Sequence, residues 1–152
     1  MQQTLPSTAL ITGASRGLGL ALARALAQRG WRLLVDARDA APLMHVRDEL
    51  SRATQVSALV GDIADPAHRR ALAQAAQDLG ELALVVNNAS ILGASPLPPL
   101  LDYPLDTLHE VFMVNTIAPL ALLQALRPTL ATTARILNIT SDAALEAYPG
   151  WG

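Results

Sequence analysis

Thr12-Gly13-Ala14-Ser15-Arg16-Gly17-Leu18-Gly19 follows directly on the apolar run Ala9-Leu10-Ile11. It leads straight into Leu20-Ala21-Leu22-Ala23-Arg24-Ala25-Leu26, whose apolar residues recur at helical spacing. A strand, a tight glycine turn and a helix N-terminus in that order make an anion site. Backbone N–H groups point at the ligand, the helix dipole favours negative charge, and the glycines let the main chain come close to a pyrophosphate.

Outward from this turn the same alternation continues. The spacing predicts strands over Thr8–Thr12, Arg32–Asp36, Val56–Val60, Leu82–Asn87 and Arg135–Thr140, with helices over Gly17–Arg29, Ala40–Ala53, Pro66–Leu79 and Leu105–Leu130. Pro66 suits a helix first turn with Asp65 as its N-cap, and Gly30 and Gly80 fall where helices should end. Pro119 and Pro128 predict a kink or an early end in the fourth helix. The strands are apolar with little alternation, as in a sheet covered on both faces. The fold class read from this order is α/β: a Rossmann-type, doubly wound parallel sheet with helices on both faces and right-handed crossovers. No repeat, low-complexity tract or interdomain linker interrupts it, so residues 1–152 read as one nucleotide-binding domain.

Composition narrows the function. Hydrophobic residues make up 51% and charged residues 16%, which is a globular balance. A net charge of −2, few aromatics and no basic cluster argue against nucleic acid as a partner. No cysteine is present, which excludes thiolate metal sites and disulfides and fits a reducing, cytoplasmic setting. The N-terminus lacks a basic region before an apolar core, and no uninterrupted apolar run approaches the ~18 residues of a membrane span, so neither secretion nor a membrane is expected. His45, His68 and His109 are scattered over helical patterns and read as structural, with no metal site. Asp102 and Asp106 lie at the start of the fourth helix and read as dipole-favoured capping residues. Trp31 and Trp151 have no assignable role.

In an open parallel sheet, ligands bind beyond the C-terminal strand ends. Every predicted strand ends in polar residues: the glycine turn, Asp36-Ala37-Arg38, Gly61-Asp62, Asn87-Asn88-Ala89 and Thr140-Ser141. Asn, Asp and Ser also cap turns singly, but five such ends on one rim describe a single crevice for an extended ligand.

These residues together resemble the short-chain dehydrogenase/reductase family. Thr12-Gly13-x-x-x-Gly17-x-Gly19 is similar to its cofactor turn, and Asp62 to the acid that hydrogen-bonds adenine. Asn87-Asn88-Ala89-Ser90 is similar to its Asn-Asn-Ala-Gly, with serine replacing the last glycine. Asn115 resembles the asparagine of the fourth helix, and Ser141 the catalytic serine. The resemblance implies hydride transfer between nicotinamide and a carbonyl or alcohol carbon of a small substrate. It assigns Ser141 to the substrate oxygen and Asn115 to a proton relay. Cofactor contacts fall on Thr12, Gly13, Ser15, Arg16, Gly17, Leu18 and Gly19, then on Arg38, Asp62, Ile63, Asn88, Ala89 and Ser90.

Arg16 and Arg38 favour NADP(H), because guanidinium groups bind a ribose phosphate bidentately. NAD(H) stays possible: Asp36 competes as an acid for free ribose hydroxyls, although the family's ribose-selecting acid corresponds to Ala37. The family's Tyr-x-x-x-Lys pair has no counterpart, since Tyr148 is followed by Gly152 and the chain contains no lysine. The resemblance therefore implies the N-terminal, cofactor-binding part of the family fold, ending after the fifth strand and weakly active or inactive by itself. A non-catalytic nucleotide-binding or regulatory module is the alternative, and a sugar-nucleotide epimerase relative a weaker one. The fourth helix, with Leu120, Leu122, Leu123 and Leu126, and an open fifth strand predict an exposed apolar patch and self-association or a homo-oligomer.

Overall fold

The computed structural model describes residues 6–146, so Tyr148 and Trp151 lie outside the described residues. Five strands, β1 (Thr8–Ile11), β2 (Arg32–Ala37), β3 (Val56–Val60), β4 (Leu82–Asn87) and β5 (Leu130–Asn138), form one sheet in the order β3-β2-β1-β4-β5. All neighbours run parallel, and β1 sits in the middle with Ile11 opposite Val35 on one side and Val86 on the other. The chain order therefore reverses direction beside β1, which is where a doubly wound sheet opens a crevice.

Helices cover both faces, as the apolar strands require. Ala9, Ile11, Leu33 and Val35 pack with α1 (Gly17–Gln28) and α2 (Ala40–Leu50) through Ala23, Ala27, Leu43, Val46 and Leu50. Leu10, Leu34 and Val85 point the other way, onto α3 (Pro66–Leu79) and the later helices through Leu72, Ala76, Leu122 and Leu126. Asp65 caps α3 by accepting from the Ala67 N–H at 2.8 Å, with Pro66 in the first turn. Gly30, at φ 76°, lets α1 end with Gly30 N–H on Ala27 O and Trp31 N–H on Leu26 O, a Schellman closure. On the surface Arg24 of α1 clasps Glu49 of α2 at 2.7 Å, and this hydrogen bond holds the Glu49 carboxyl below its ordinary range.

The fourth helical segment leaves regular α geometry just before each proline. The segment runs as α4 (Leu105–Phe112), a π turn over Met113–Ile117, α5 (Ala118–Leu126) and a 3₁₀ turn over Arg127–Thr129. Pro119 has no N–H for the Asn115 carbonyl one turn earlier, and the wider π turn lies at that point. Leu105–Thr129 is long and apolar enough to cross a membrane by length and composition. Ala118, Leu122 and Leu126 are nevertheless fully buried in the core beside α3. This corrects which leucines form the expected apolar patch. Two of the four leucines are core, and the exposed apolar residues of the segment include Leu105, Phe112, Ile117 and Leu120. β5 begins five residues before the predicted Arg135 and stands at the sheet edge, paired with β4 alone among the described residues.

Candidate functional site

A crevice of about 250 Å³ opens beyond the C-terminal ends of the strands. It is lined by Gly13, Ser15, Arg16 and Leu18 from the glycine turn, by Asp36 to Asp39 after β2, by Gly61 to Ile63 after β3, and by Asn88 to Ile91 after β4. Four of the five polar strand ends thus meet on one cavity. Ala37, Asp39, Gly61, Ile91 and Val114 also line it. Of these, Ala37 and Gly61 belong to strand ends marked in the sequence, whereas Asp39, Ile91 and Val114 carry no such signal and are brought to the rim by the fold.

The turn is held from beneath. Thr12 is buried, and its hydroxyl donates to Val86 O at 3.3 Å while accepting the Asn88 and Ala89 N–H groups, each at 3.0 Å. Asn88 Nδ2 donates back to the Thr12 and Gly13 carbonyls at 2.9 and 3.1 Å. Thr12 and Asn88 therefore tie the β1 turn to the β4 turn. The contact requires glycine twice, since a Cβ at Gly13 would lie 2.9 Å from Ala89 Cα and one at Gly19 2.5 Å from Asn88 Nδ2. The N-terminus of α1 faces the cavity with Arg16 as a cap that makes no side-chain cap bond, and no acid stands in its first turn. The first-turn N–H groups of Gly17, Leu18 and Gly19 have no partner within the helix. That uncompensated dipole end, with the exposed Arg16 and Arg38 at the rim, suits an extended anionic ligand such as a dinucleotide.

The first turn of α3 shapes the other half. The buried Arg69 donates to Ile63 O at 2.6 Å, and Asp62 Oδ1 accepts the Ala64 N–H at 2.8 Å, together fixing the loop after β3. His68 reaches the end of β2, with Nε2 3.0 Å from Asp36 Oδ2, and Asp36 Oδ1 accepts the Gly13 N–H at 2.9 Å.

A family model described as short chain dehydrogenase matches residues 7–152. The chain belongs to the short-chain dehydrogenase family. It is 37% identical over 145 residues to the 1-deoxy-11-beta-hydroxypentalenate dehydrogenase of Streptomyces avermitilis, covering 94% of this chain and 53% of the relative. The NADPH complex of a blue fluorescent protein from a metagenomic library superimposes with a TM-score of 0.84 at 33% identity, over 95% of this chain and 60% of that one. A 3-oxoacyl-(acyl-carrier protein) reductase from Brucella melitensis in complex with NAD gives 0.81 at 28%, over 97% and 60%. The chain spans about half the length of the curated relatives it matches.

Neither of the two residues that the resemblance assigns to catalysis is itself part of the crevice lining, although Asn115 bonds to Ile91, which is. Asn115, in the π turn, holds the chain after β4: Nδ2 donates to Ile91 O and Oδ1 accepts the Ile91 N–H, each at 2.9 Å. Ser141 follows β5 and is exposed. Its hydroxyl donates to Asp142 Oδ1 at 3.0 Å and accepts the Ala143 N–H at 3.2 Å, capping a 3₁₀ turn over Asp142–Ala144.

Proposed function

We propose that this short-chain dehydrogenase is an NADP(H)-dependent oxidoreductase acting on a carbonyl/alcohol pair of a small molecule, in the cytoplasm. The observation that carries the reading is the crevice itself, where an uncapped helix N-terminus, two exposed arginines and the Asn88-Ala89-Ser90 turn converge. The first-turn N–H groups from Gly17 to Gly19 hold the pyrophosphate, Arg16 and Arg38 the ribose phosphate, and Asp62 with Ile63 the adenine. Gly13, Ser15, Leu18 and Asn88 to Ser90 shape the cradle. Bound there, the dinucleotide supplies hydride chemistry at the substrate carbon. Ser141 positions the substrate oxygen, and Asn115 holds the loop after β4 through Ile91.

The NADPH complex of the metagenomic relative supports the cofactor choice, and the arginines favour it on chemical grounds. Residues 1–152 include no Tyr-x-x-x-Lys, so these residues bind cofactor but turn it over weakly. The local engagement of the Ser141 hydroxyl favours a second reading, a nucleotide-binding module without catalysis. Titrating the purified chain with NADPH and NADH, following cofactor fluorescence, tests the site. Saturable binding is expected, about tenfold tighter for NADPH, and lost in Gly17→Asp, which sets a negative charge at the anion site. Binding of neither cofactor, or equal binding in the variant, overturns the assignment. Turnover of carbonyl substrates at ordinary enzyme rates by the same chain overturns both the weak turnover expected of these residues and the second reading.

A further inference from the structure

Asp36 lies on the lining of the crevice one residue before the end of β2, next to Ala37, the position that corresponds to the family's ribose-selecting acid, and so within reach of competing for a free adenosine ribose. Its carboxylate is nevertheless occupied at both oxygens inside the protein. Oδ1 accepts the Gly13 N–H at 2.9 Å and Oδ2 faces His68 Nε2 at 3.0 Å, with the two side chains only 2% and 6% exposed. A carboxylate oxygen accepts and does not donate, so Nε2 carries the hydrogen of this bond. The arrangement is built for the imidazole, because a Cβ at residue 61 would collide with the His68 ring and that residue is Gly61. The main chain completes it, with Ala14 N–H on Asp36 O at 2.9 Å and Gly61 N–H on Ala37 O at 3.0 Å.

We propose that His68 is a positioning residue for cofactor choice: it holds the Asp36 carboxylate down beneath the glycine turn and so withholds it from the ribose, leaving that end of the crevice to Arg38 and Arg16. The proposal rests on the NADP(H) reading above and adds its cause. An acid free to swing into the rim would bind ribose hydroxyls and repel a ribose phosphate. The same acid, bonded at both oxygens and buried, is not extended toward the hydroxyls and keeps its charge back from the rim.

The test measures dissociation constants for NADPH and NADH in the wild type, His68→Phe, His68→Gln, Asp36→Ala and the His68→Phe/Asp36→Ala pair, with circular dichroism as a check of folding. His68→Phe is expected to lower the NADPH-over-NADH preference about tenfold, the size of one hydrogen bond to a charged group. His68→Gln keeps a donor and retains the preference. The double variant regains it, because no carboxylate remains to misplace; a purely structural role for His68 gives no such recovery. An unchanged preference in His68→Phe, or no recovery in the double variant, overturns the proposal. If His68→Phe does not fold, Asp36→Ala decides. It is expected to weaken both cofactors alike, whereas a tenfold gain in NADPH preference shows the carboxylate already on the ribose and overturns the proposal. A wild type that prefers NADH, or binds neither cofactor, overturns the NADP(H) reading and this inference together, before any variant is made.

Discussion

Gly17 and Gly19 stand two residues apart in one turn, yet a methyl group meets a different obstacle at each. Gly17 has φ 56° and open space for 4 Å around the point where a Cβ would stand, so Gly17→Ala meets conformational strain alone, about 1 kcal/mol. At Gly19 the strain is steric, because a Cβ would lie 2.5 Å from both Asn88 Nδ2 and the Gly13 carbonyl oxygen. Gly19→Ala is expected to destabilise by about 2–3 kcal/mol and to abolish NADPH binding by pushing the β1 and β4 turns apart. Urea denaturation and the fluorescence titration check the pair; equal losses in both variants would show that the turns do not depend on this contact. The glycine turn is legible in the sequence because its chemistry lies within eight consecutive residues. The Asp36–His68 bond is not, since it joins positions 32 apart and exists only because β2 and β3 are neighbours in the sheet. An acid at a strand end and a histidine in the first turn of a later helix are the available signal, but helical spacing alone reads that histidine as incidental.

At the scale of elements, apolar spacing fixes existence better than it fixes faces. β3, β4 and α3 match their predicted limits, and α1 and α2 end slightly early. β5 is longer than its apolar run because Leu130-Ala131-Thr132-Thr133 follows Pro128 with little hydrophobic pattern to mark a strand. Along α5 the leucines look equivalent in sequence, but the helix turns Leu122 into the core and Leu120 outward, 0% and 60% exposed. Leu122→Ala is therefore expected to lower stability by about 3 kcal/mol, and Leu120→Ala by less than about 0.5 kcal/mol. Chemical denaturation curves distinguish them; similar losses would mean that α5 packs in another rotation.

For the molecule as a whole, the two sides of the sheet end differently. β3 at one edge has α2 and α3 beside it, whereas β5 at the other edge presents nine residues that are mostly exposed, including Ile136 and Leu137. A long edge strand offers N–H and C=O groups to any chain that can pair with it. The fourth helical segment, from α4 to the start of α5, also exposes Leu105, Phe112, Ile117 and Leu120, and exposed apolar side chains grouped on one segment favour association. The two features act together, since pairing at β5 and burial of the helix face both remove surface that is costly to hydrate. Self-association of the chain is the expected outcome, and light scattering after size exclusion should give a mass above 16.0 kDa that rises with concentration. Phe112→Glu with Leu120→Arg should shift the distribution toward the monomer while leaving NADPH binding intact, because neither residue lines the crevice. A monodisperse 16.0 kDa species across micromolar concentrations would show that the exposed face and the open edge are tolerated without a partner.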